Sequence, residues 1–254
     1  MPSLPNRPYA LSIAGFDPSA GAGLLADVKT FEANGVYGMG VVSALTWQND
    51  VEFHKVEWID AEKIIAQIQV LLRRFNIRYI KIGLIESSEV LFRILKFLKT
   101  SIDNPVIVYD PILKASAGFI FHEANPDRFI DIMRGVDVIT PNIPEAKFLF
   151  GDGDLNERLV ELRRAFNIYL KGGHTDSNVS LDMLYTKDNI YTFTNPRLPK
   201  GEKHGSGCVL SSALLAQLAL GNDLPSAAHI ANQYTHQFLA SSNTLLGTHH
   251  PLVI

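Results

Sequence analysis

Short apolar runs alternate with amphipathic segments along most of this chain, and that alternation leaves few architectures open. Tyr9-Ala10-Leu11-Ser12-Ile13-Ala14 is the first run, and residues 39–45, 79–82, 106–109, 136–140 and 168–170 repeat the theme. Each is too short for a helix and reads as a buried strand. Between them lie segments with helical spacing. Residues 24–34 end at Gly35, a C-terminal cap, and residues 61–75 place Ile64, Ile65, Ile68, Leu71 and Leu72 on one face. Residues 89–98, 126–133, 144–150 and 155–166 continue the pattern. Strands that alternate with helices build an α/β fold, with a mostly parallel central sheet and helices on both faces. Residues 181–185 and 190–193 flank Thr186-Lys187-Asp188-Asn189 as a hairpin. Two helices close the chain, one ending at Gly221 and one beginning near Asp223-Leu224-Pro225. No linker, repeat or low-complexity tract interrupts residues 1–254, so one domain is the economical reading.

At 254 residues the chain can bury one large core, and 46% hydrophobic against 19% charged residues fits a folded protein. The net charge of -3 leaves no basic footprint for nucleic acid. Cys208 is the single cysteine, which rules out an internal disulfide and a thiol cluster for zinc. No apolar run is long enough to span a bilayer, and residues 1–8 lack the apolar core of a signal peptide. The expected setting is the cytoplasm and the expected partner a small molecule.

In a sheet of this kind the functional loops lie at the carboxyl ends of the strands. The loops after Ala14, Leu45, Ile82, Tyr109, Thr140 and Leu170 carry the unusual residues. A further loop, Gly205-Ser206-Gly207-Cys208, runs into an apolar helix. Its glycines allow a tight bend, and the free N–H groups at the helix start favour an anion. A thiol there is expected to have a lowered pKa and to be reactive. The plainer reading is a glycine turn capping a core helix, with Cys208 as a small buried hydrophobe. Residues 15–23 mimic a dinucleotide fingerprint, but a long loop separates the strand from Gly21, which is the wrong placement. No Gly-x-x-x-x-Gly-Lys-Ser/Thr motif occurs, so a P-loop is excluded.

The remaining candidates each have a structural and a chemical reading. Asp27 is a dipole-favoured solvated acid or an acceptor for a ligand hydroxyl or amine. Gln48-Asn49 is turn chemistry or a reader of a heteroaromatic edge. Asp110-Pro111 ends a strand or presents a carboxylate to magnesium. Asn142 and Glu145 have capping-box spacing, and the same groups can orient hydrated magnesium. Lys171-Gly172-Gly173-His174 offers a cation for nucleotide phosphates. His249-His250 resembles a metal pair only superficially and reads as a mobile tail. A lysine, several acids and a glycine-rich anion loop on one sheet edge fit phosphoryl transfer, which depends on positioning and charge neutralisation.

Many of these motifs recur in one order in a known family. Residues 12–23 with Asp27-Val28-Lys29-Thr30-Phe31, Ser43-Ala44-Leu45-Thr46 with Gln48-Asn49, Lys81-Ile82-Gly83-Leu84, Asp110-Pro111-Ile112-Leu113, Thr140-Pro141-Asn142, Lys171-Gly172-Gly173-His174 and His204-Gly205-Ser206-Gly207-Cys208 carry the likeness. The chain resembles the hydroxymethylpyrimidine/phosphomethylpyrimidine kinases of thiamine biosynthesis, within the ribokinase-like superfamily. The resemblance covers nearly the whole length. It implies a ribokinase-like fold, ATP and Mg2+, and a small-molecule pyrimidine as substrate, with pyridoxal or pyridoxine as the alternative acceptor. Relatives of this kind often form homodimers. By the same resemblance Gly15, Asp27 and Gln48 hold the aminopyrimidine and its hydroxymethyl group, and Leu84 and Ile112 pack on the ring. Gly205, Ser206, Gly207 and Cys208 hold the transferring phosphoryl group, with Cys208 near the reacting hydroxyl, as a base or as a shaper of the loop. Lys171 and Asn142 meet the nucleotide, and Glu145 and Asp110 the metal region. The chain departs from the family at Lys203 and Ser206, where threonine is usual, at the bulky Trp47, at Asp50, and in a shorter stretch over 151–167.

Overall fold

In the computed structural model, which describes residues 7–113, 126–151, 153–172, 178–199 and 201–251, the apolar runs assemble into one nine-stranded sheet. The strands are β1 (Tyr9–Phe16), β2 (Tyr37–Gln48), β3 (Phe53–Trp58), β4 (Tyr79–Ile82), β5 (Val106–Tyr109), β6 (Val138–Ile139), β7 (Asn167–Leu170), β8 (Val179–Tyr185) and β9 (Ile190–Pro196). Their order is β3-β2-β1-β4-β5-β6-β7-β8-β9. The six strands from β2 to β7 in that order pair in parallel, while β3, β8 and β9 add antiparallel edges. The central strands are short and buried, as apolar runs covered on both faces should be.

Helices cover both faces. On one lie α2 (Ala61–Leu72), α3 (Ser88–Ser101), α4 (Pro126–Met133), α5 (Ile143–Phe150) and α6 (Leu155–Leu162), whose apolar stripes join a core with Ile13, Ile82 and Ile139. On the other lie α1 (Gly23–Ala33), α7 (Ser206–Ala219) and α8 (Leu224–Ala240), packed with Val108, Val138 and Tyr169. α7 is buried at every position from Cys208 to Gln217, because it is wedged between the sheet, α1 and α8. That explains its apolar character all round.

The chain steps from β1 outward to β2, then returns to β4 on the other side of β1 and continues toward β7. The reversal between β1 and β4 is a topological switch point, the place where sheets of this kind bind ligands. Three expectations need correction. Residues 46–48 continue β2 rather than forming a loop, because β3, which the apolar pattern did not reveal, folds back along them. β3 is exposed or half-exposed along its length, so its sequence lacks a buried run. The tail at His249 is docked: its ring lies 4.8 Å from Phe238, its Nδ1 is within 3.3 Å of the Tyr234 hydroxyl, and burial lowers its pKa to about 4.

Candidate active site

The carboxyl ends of the parallel strands and the start of α7 converge on one region. Gly205 has φ +76, and a Cβ there would come within 2.2 Å of the Gly21 carbonyl oxygen and 2.7 Å of Ala22. Only glycine fits both demands, so the turn that precedes α7 is locked against the loop after β1. At Gly207 a Cβ would meet Lys171 Nζ at 3.1 Å and Asp110 Oδ2 at 3.8 Å. The first turn of α7 therefore faces a cation and a carboxylate directly. Ser206 and Gly207 are half-buried and begin the helix with no side-chain cap, which leaves backbone N–H groups to meet an anion.

Lys171 follows β7 and bridges two acids. Its Nζ donates to Asp110 Oδ1 at 2.8 Å and lies 3.7 Å from Glu145 Oε2. Burial works against the Lys171 ammonium, but Asp110 and Glu145 outweigh it and hold its pKa above the usual lysine value. Burial would raise Asp110, yet Lys171, Lys81 and the Thr140 hydroxyl hold it below the usual aspartate value. Glu145 shares the same lysine at longer range, and burial leaves it raised. Asn142 and Glu145 form the capping box that their spacing suggested: Glu145 N–H donates to Asn142 Oδ1 and Asn142 N–H to Glu145 Oε2, both at 2.8 Å. The residues are tied into the sheet edge by the bridge between Asn142 and Lys171.

Asp27 departs from its expected place. It is fully buried on α1, and no carboxylate oxygen is left for a ligand. Oδ1 accepts from Lys81 at 3.0 Å and Ser212 at 2.8 Å, and Oδ2 from Lys81 at 2.9 Å and Ser12 at 2.5 Å. Burial pushes the Asp27 carboxyl up and Lys81 opposes it, while Asp27 holds Lys81 charged against its own burial. The four hydrogen bonds from Lys81, Ser12 and Ser212 work against that rise.

Cys208 is the clearest correction. A helix start was expected to lower its pKa. Instead burial pushes the thiol up to about 12, with Asp27 and Asp110 adding to the rise and Lys81 opposing it. The side chain sits inside the helix packing, 6% exposed, so the thiol is protonated at neutral pH.

Of the apolar positions, Leu84 meets Gly15 at the ends of β4 and β1. A Cβ on Gly15 would lie 2.9 Å from Leu84 Cδ2 and 3.7 Å from Thr46 Cγ2, so these groups touch at the ends of β1, β4 and β2. Ile112 is half-buried just beyond Asp110, where its N–H returns to the Asp110 carbonyl. Gln48 donates from Nε2 to Thr46 Oγ1 at 2.9 Å and lines an open cavity of about 470 Å³ with Phe16, Pro18 and Trp47. None of the residues around Lys171 lines that cavity. Trp47 is 45% exposed, with the Lys55 ammonium 4.6 Å from its ring centre. Lys114 to Gly118, Gly173 and His174 lie outside the described residues.

Two residues that carried no assigned role complete the region. Asp17 and His204 are buried, with His204 Nε2 2.8 Å from Asp17 Oδ2. Asp17 also accepts from the Ser19 N–H and hydroxyl and from the Ala22 N–H, so it clasps the loop after β1 to the residue before Gly205. Burial would raise its pKa, but these bonds hold it below the usual aspartate value. The sequence signal was present: a Ser two residues after an Asp in a Gly-rich loop is an Asx-type turn. Its pairing with His204, far away in the chain, was not legible.

A protein-family profile described as phosphomethylpyrimidine kinase matches residues 17–253. The hydroxymethylpyrimidine/phosphomethylpyrimidine kinase of Aquifex aeolicus (strain VF5) is 34% identical over 249 residues, covering 93% of this chain and 96% of that protein. Among solved structures, a phosphomethylpyrimidine kinase from Clostridium difficile 630 superposes with a TM-score of 0.76 at 32% identity, covering 91% of this chain and 99% of that one. An ADP complex of Bacillus subtilis pyridoxal kinase superposes with a TM-score of 0.77 at 26% identity, covering 93% and 92%. The fold is ribokinase-like.

Proposed function

This chain belongs to the phosphomethylpyrimidine kinase family, and on that premise we propose the reaction its site performs. The enzyme is a hydroxymethylpyrimidine/phosphomethylpyrimidine kinase of thiamine biosynthesis. It transfers the terminal phosphoryl group of ATP to the hydroxymethyl oxygen of 4-amino-5-hydroxymethyl-2-methylpyrimidine, and then to the resulting monophosphate. One observation supports the chemistry above the others: Lys171 Nζ, Asp110 and the open backbone of Gly207 meet within a few ångströms at the first turn of α7.

The N–H groups of Gly205 to Cys208 stabilise charge on the transferring group. Lys171, already loosely shared between two acids, exchanges a carboxylate for nucleotide phosphate. Asp110 and Glu145 suit Mg2+, which keeps most of its waters and needs only one or two carboxylates beside phosphate oxygens. When bound, that ion neutralises phosphate charge. Asn142 holds Glu145 in place through the capping box. On the acceptor side Gln48 and the Gly15 backbone read the aminopyrimidine edge, and Leu84 and Ile112 pack on the ring. Asp27 acts beneath the site by fixing Lys81 and Ser212. A loose phosphoryl transition state asks little of a base, so a neutral Cys208 thiol shapes the loop. The cytoplasm, where ATP and small pyrimidine metabolites are available, is the setting we propose. Among the described residues no helix is long and apolar enough to cross a membrane.

The test is transfer from Mg-ATP to hydroxymethylpyrimidine, its monophosphate and pyridoxal, offered separately, with products identified by mass. Turnover of both pyrimidines well above pyridoxal is the expected result. The structural likeness to pyridoxal kinase makes pyridoxal the informative competitor, and a preference for it overturns the acceptor assignment.

A further inference from the structure

Lys203 stands two residues before Gly205 and is 7% exposed. Its Nζ donates to the Ser242 carbonyl oxygen at 2.9 Å and approaches that of Glu202 at 3.5 Å. Among the described residues no carboxylate pairs with it, whereas the other buried cations of the site are spoken for. Lys81 is neutralised by Asp27, and Lys171 is shared between Asp110 and Glu145. Carbonyl oxygens satisfy the hydrogen bonds of an ammonium but not its charge. The Ser242 carbonyl lies just past the C-terminal end of α8, where the helix dipole is negative, which offsets part of that cost. What remains is a buried positive charge on a residue one turn before the anion loop, where Ser206 N–H reaches back to the Lys203 carbonyl at 3.4 Å.

The surroundings hold that charge in place. His204 N–H donates to the Leu245 carbonyl at 2.9 Å, and Ser242 Oγ donates to the Leu246 carbonyl at 2.8 Å. A Cβ on Gly21 would strike both His204 Cδ2 and Leu246 Cδ2 at 2.7 Å. The segment after α8, the loop after β1 and the residue that follows Lys203 thus pack against one another.

We propose that Lys203 is a built-in cation for the anion loop: its ammonium occupies a backbone-carbonyl site and adds a positive charge to the one Lys171 brings, positioning the phosphate chain of the nucleotide at α7. This rests on the kinase reading for its catalytic consequence, but not for anion binding itself. Lys203 is a positioning residue, acting through the field and the carbonyls it holds. An ammonium and a small monovalent cation are interchangeable ligands for carbonyl oxygens, so the charge is replaceable from solution once the stem is gone.

The experiment compares the intact protein with Lys203→Met, which removes the charge and fills the space, and Lys203→Ala, which removes the charge and leaves room. Inorganic tripolyphosphate binding, followed by calorimetry, requires no turnover. A unit charge about 10 Å from a bound anion, at an effective dielectric of about 20, changes anion affinity by roughly tenfold, so Lys203→Met is expected to bind about tenfold more weakly than the intact protein. Equal affinities overturn the proposal, even if no acceptor is ever phosphorylated. In the turnover assay Lys203→Ala is expected to lose kcat/KM for Mg-ATP and keep KM for the pyrimidine. Ammonium chloride should restore the loss, and tetramethylammonium chloride at equal ionic strength should not. Lys203→Met should show no rescue. Full turnover by Lys203→Met, or a Lys203→Ala defect that ammonium leaves untouched, assigns a purely structural clamp and overturns the proposal. If Lys203→Ala does not fold, the Lys203→Met affinity decides alone. Failure of the intact protein on every acceptor counts against the kinase reading and leaves the tripolyphosphate comparison standing.

Discussion

Two lysine–aspartate pairs stand at the same edge of the sheet and differ in burial and in the number of partners. In Lys81–Asp27 both side chains have no exposed surface, and every carboxylate oxygen has two donors. In Lys171–Asp110 the lysine keeps 16% of its side-chain surface exposed and divides itself between Asp110 and Glu145. A saturated, sealed pair cannot exchange partners without opening the core, so it braces. A pair with one cation for two carboxylates and a path to solvent can release the cation to an arriving phosphate. On the proposed reading, the same two residue types separate into support and chemistry according to burial and stoichiometry.

The sharpest way to break this comparison is to remove one partner from each pair. Asp27→Ala leaves a buried ammonium alone and is expected to cost about 3–5 kcal/mol of stability, while Asp27→Leu combined with Lys81→Met recovers most of it. Denaturant midpoints of the three proteins decide the matter, and a single-variant loss below about 1 kcal/mol would show that the sealed pair does not brace. Lys171→Ala should instead spare the fold and lower kcat by about 10²–10³-fold, the cost of losing one electrostatic contact to a developing charge. A large drop in melting temperature with little change in kcat would reverse the two roles.

How far the sequence reveals this site depends on which interactions are local. The central strands, the helices on both faces and the loops that carry Asp110, Asn142 and Lys171 follow from apolar periodicity and from residues at strand ends. The Asn142–Glu145 capping box was legible from spacing, because both partners lie within one turn. The glycine at 205 was legible as a turn, but its reason, the Gly21 carbonyl 2.2 Å from its would-be Cβ, is a contact between the two ends of the chain. Asp27, Lys81 and Ser212 meet only after α1, β4 and α7 pack, so no spacing rule joins them. Cys208 misled for the same reason. A helix start lowers a thiol pKa only while the thiol stays in a polar, open place, and the burial of α7 is a tertiary fact. β3 was missed because an exposed edge strand needs no apolar run.

Asp17–His204 offers an intermediate case: sealed like the first pair, but joining two functional loops. The bonds that Asp17 accepts lower its pKa in the folded state relative to the unfolded chain. Its stabilisation is therefore complete above the ordinary aspartate range and fades as pH falls through the lowered folded value. Asp17→Asn is expected to cost about 1.5–3 kcal/mol near neutral pH, the range for hydrogen bonds to a charged group. The difference from the unsubstituted protein should shrink steadily in acid. A gap independent of pH would mean that Asp17 contributes by shape and not by charge.

The smallest effect is expected at Cys208, which lies between the two pairs and feels Lys81, Asp27 and Asp110 at once. If the residue were the base, it would have to shed its proton in the working pH range. Its pKa of about 12 leaves almost no thiolate there, and the nearby carboxylates would oppose the new charge. Serine keeps the size of the side chain and a polar hydrogen, so Cys208→Ser preserves the loop that locks against Gly21 and Ala22. Turnover should fall by less than about tenfold, within 1.4 kcal/mol of barrier, and the pH–rate profile should keep its shape. A loss near 10³-fold, together with loss of the rise in rate with pH that a deprotonating base produces, would restore the thiolate base. It would also mean that the sealed pair beneath the helix tunes a reacting group as well as bracing the fold.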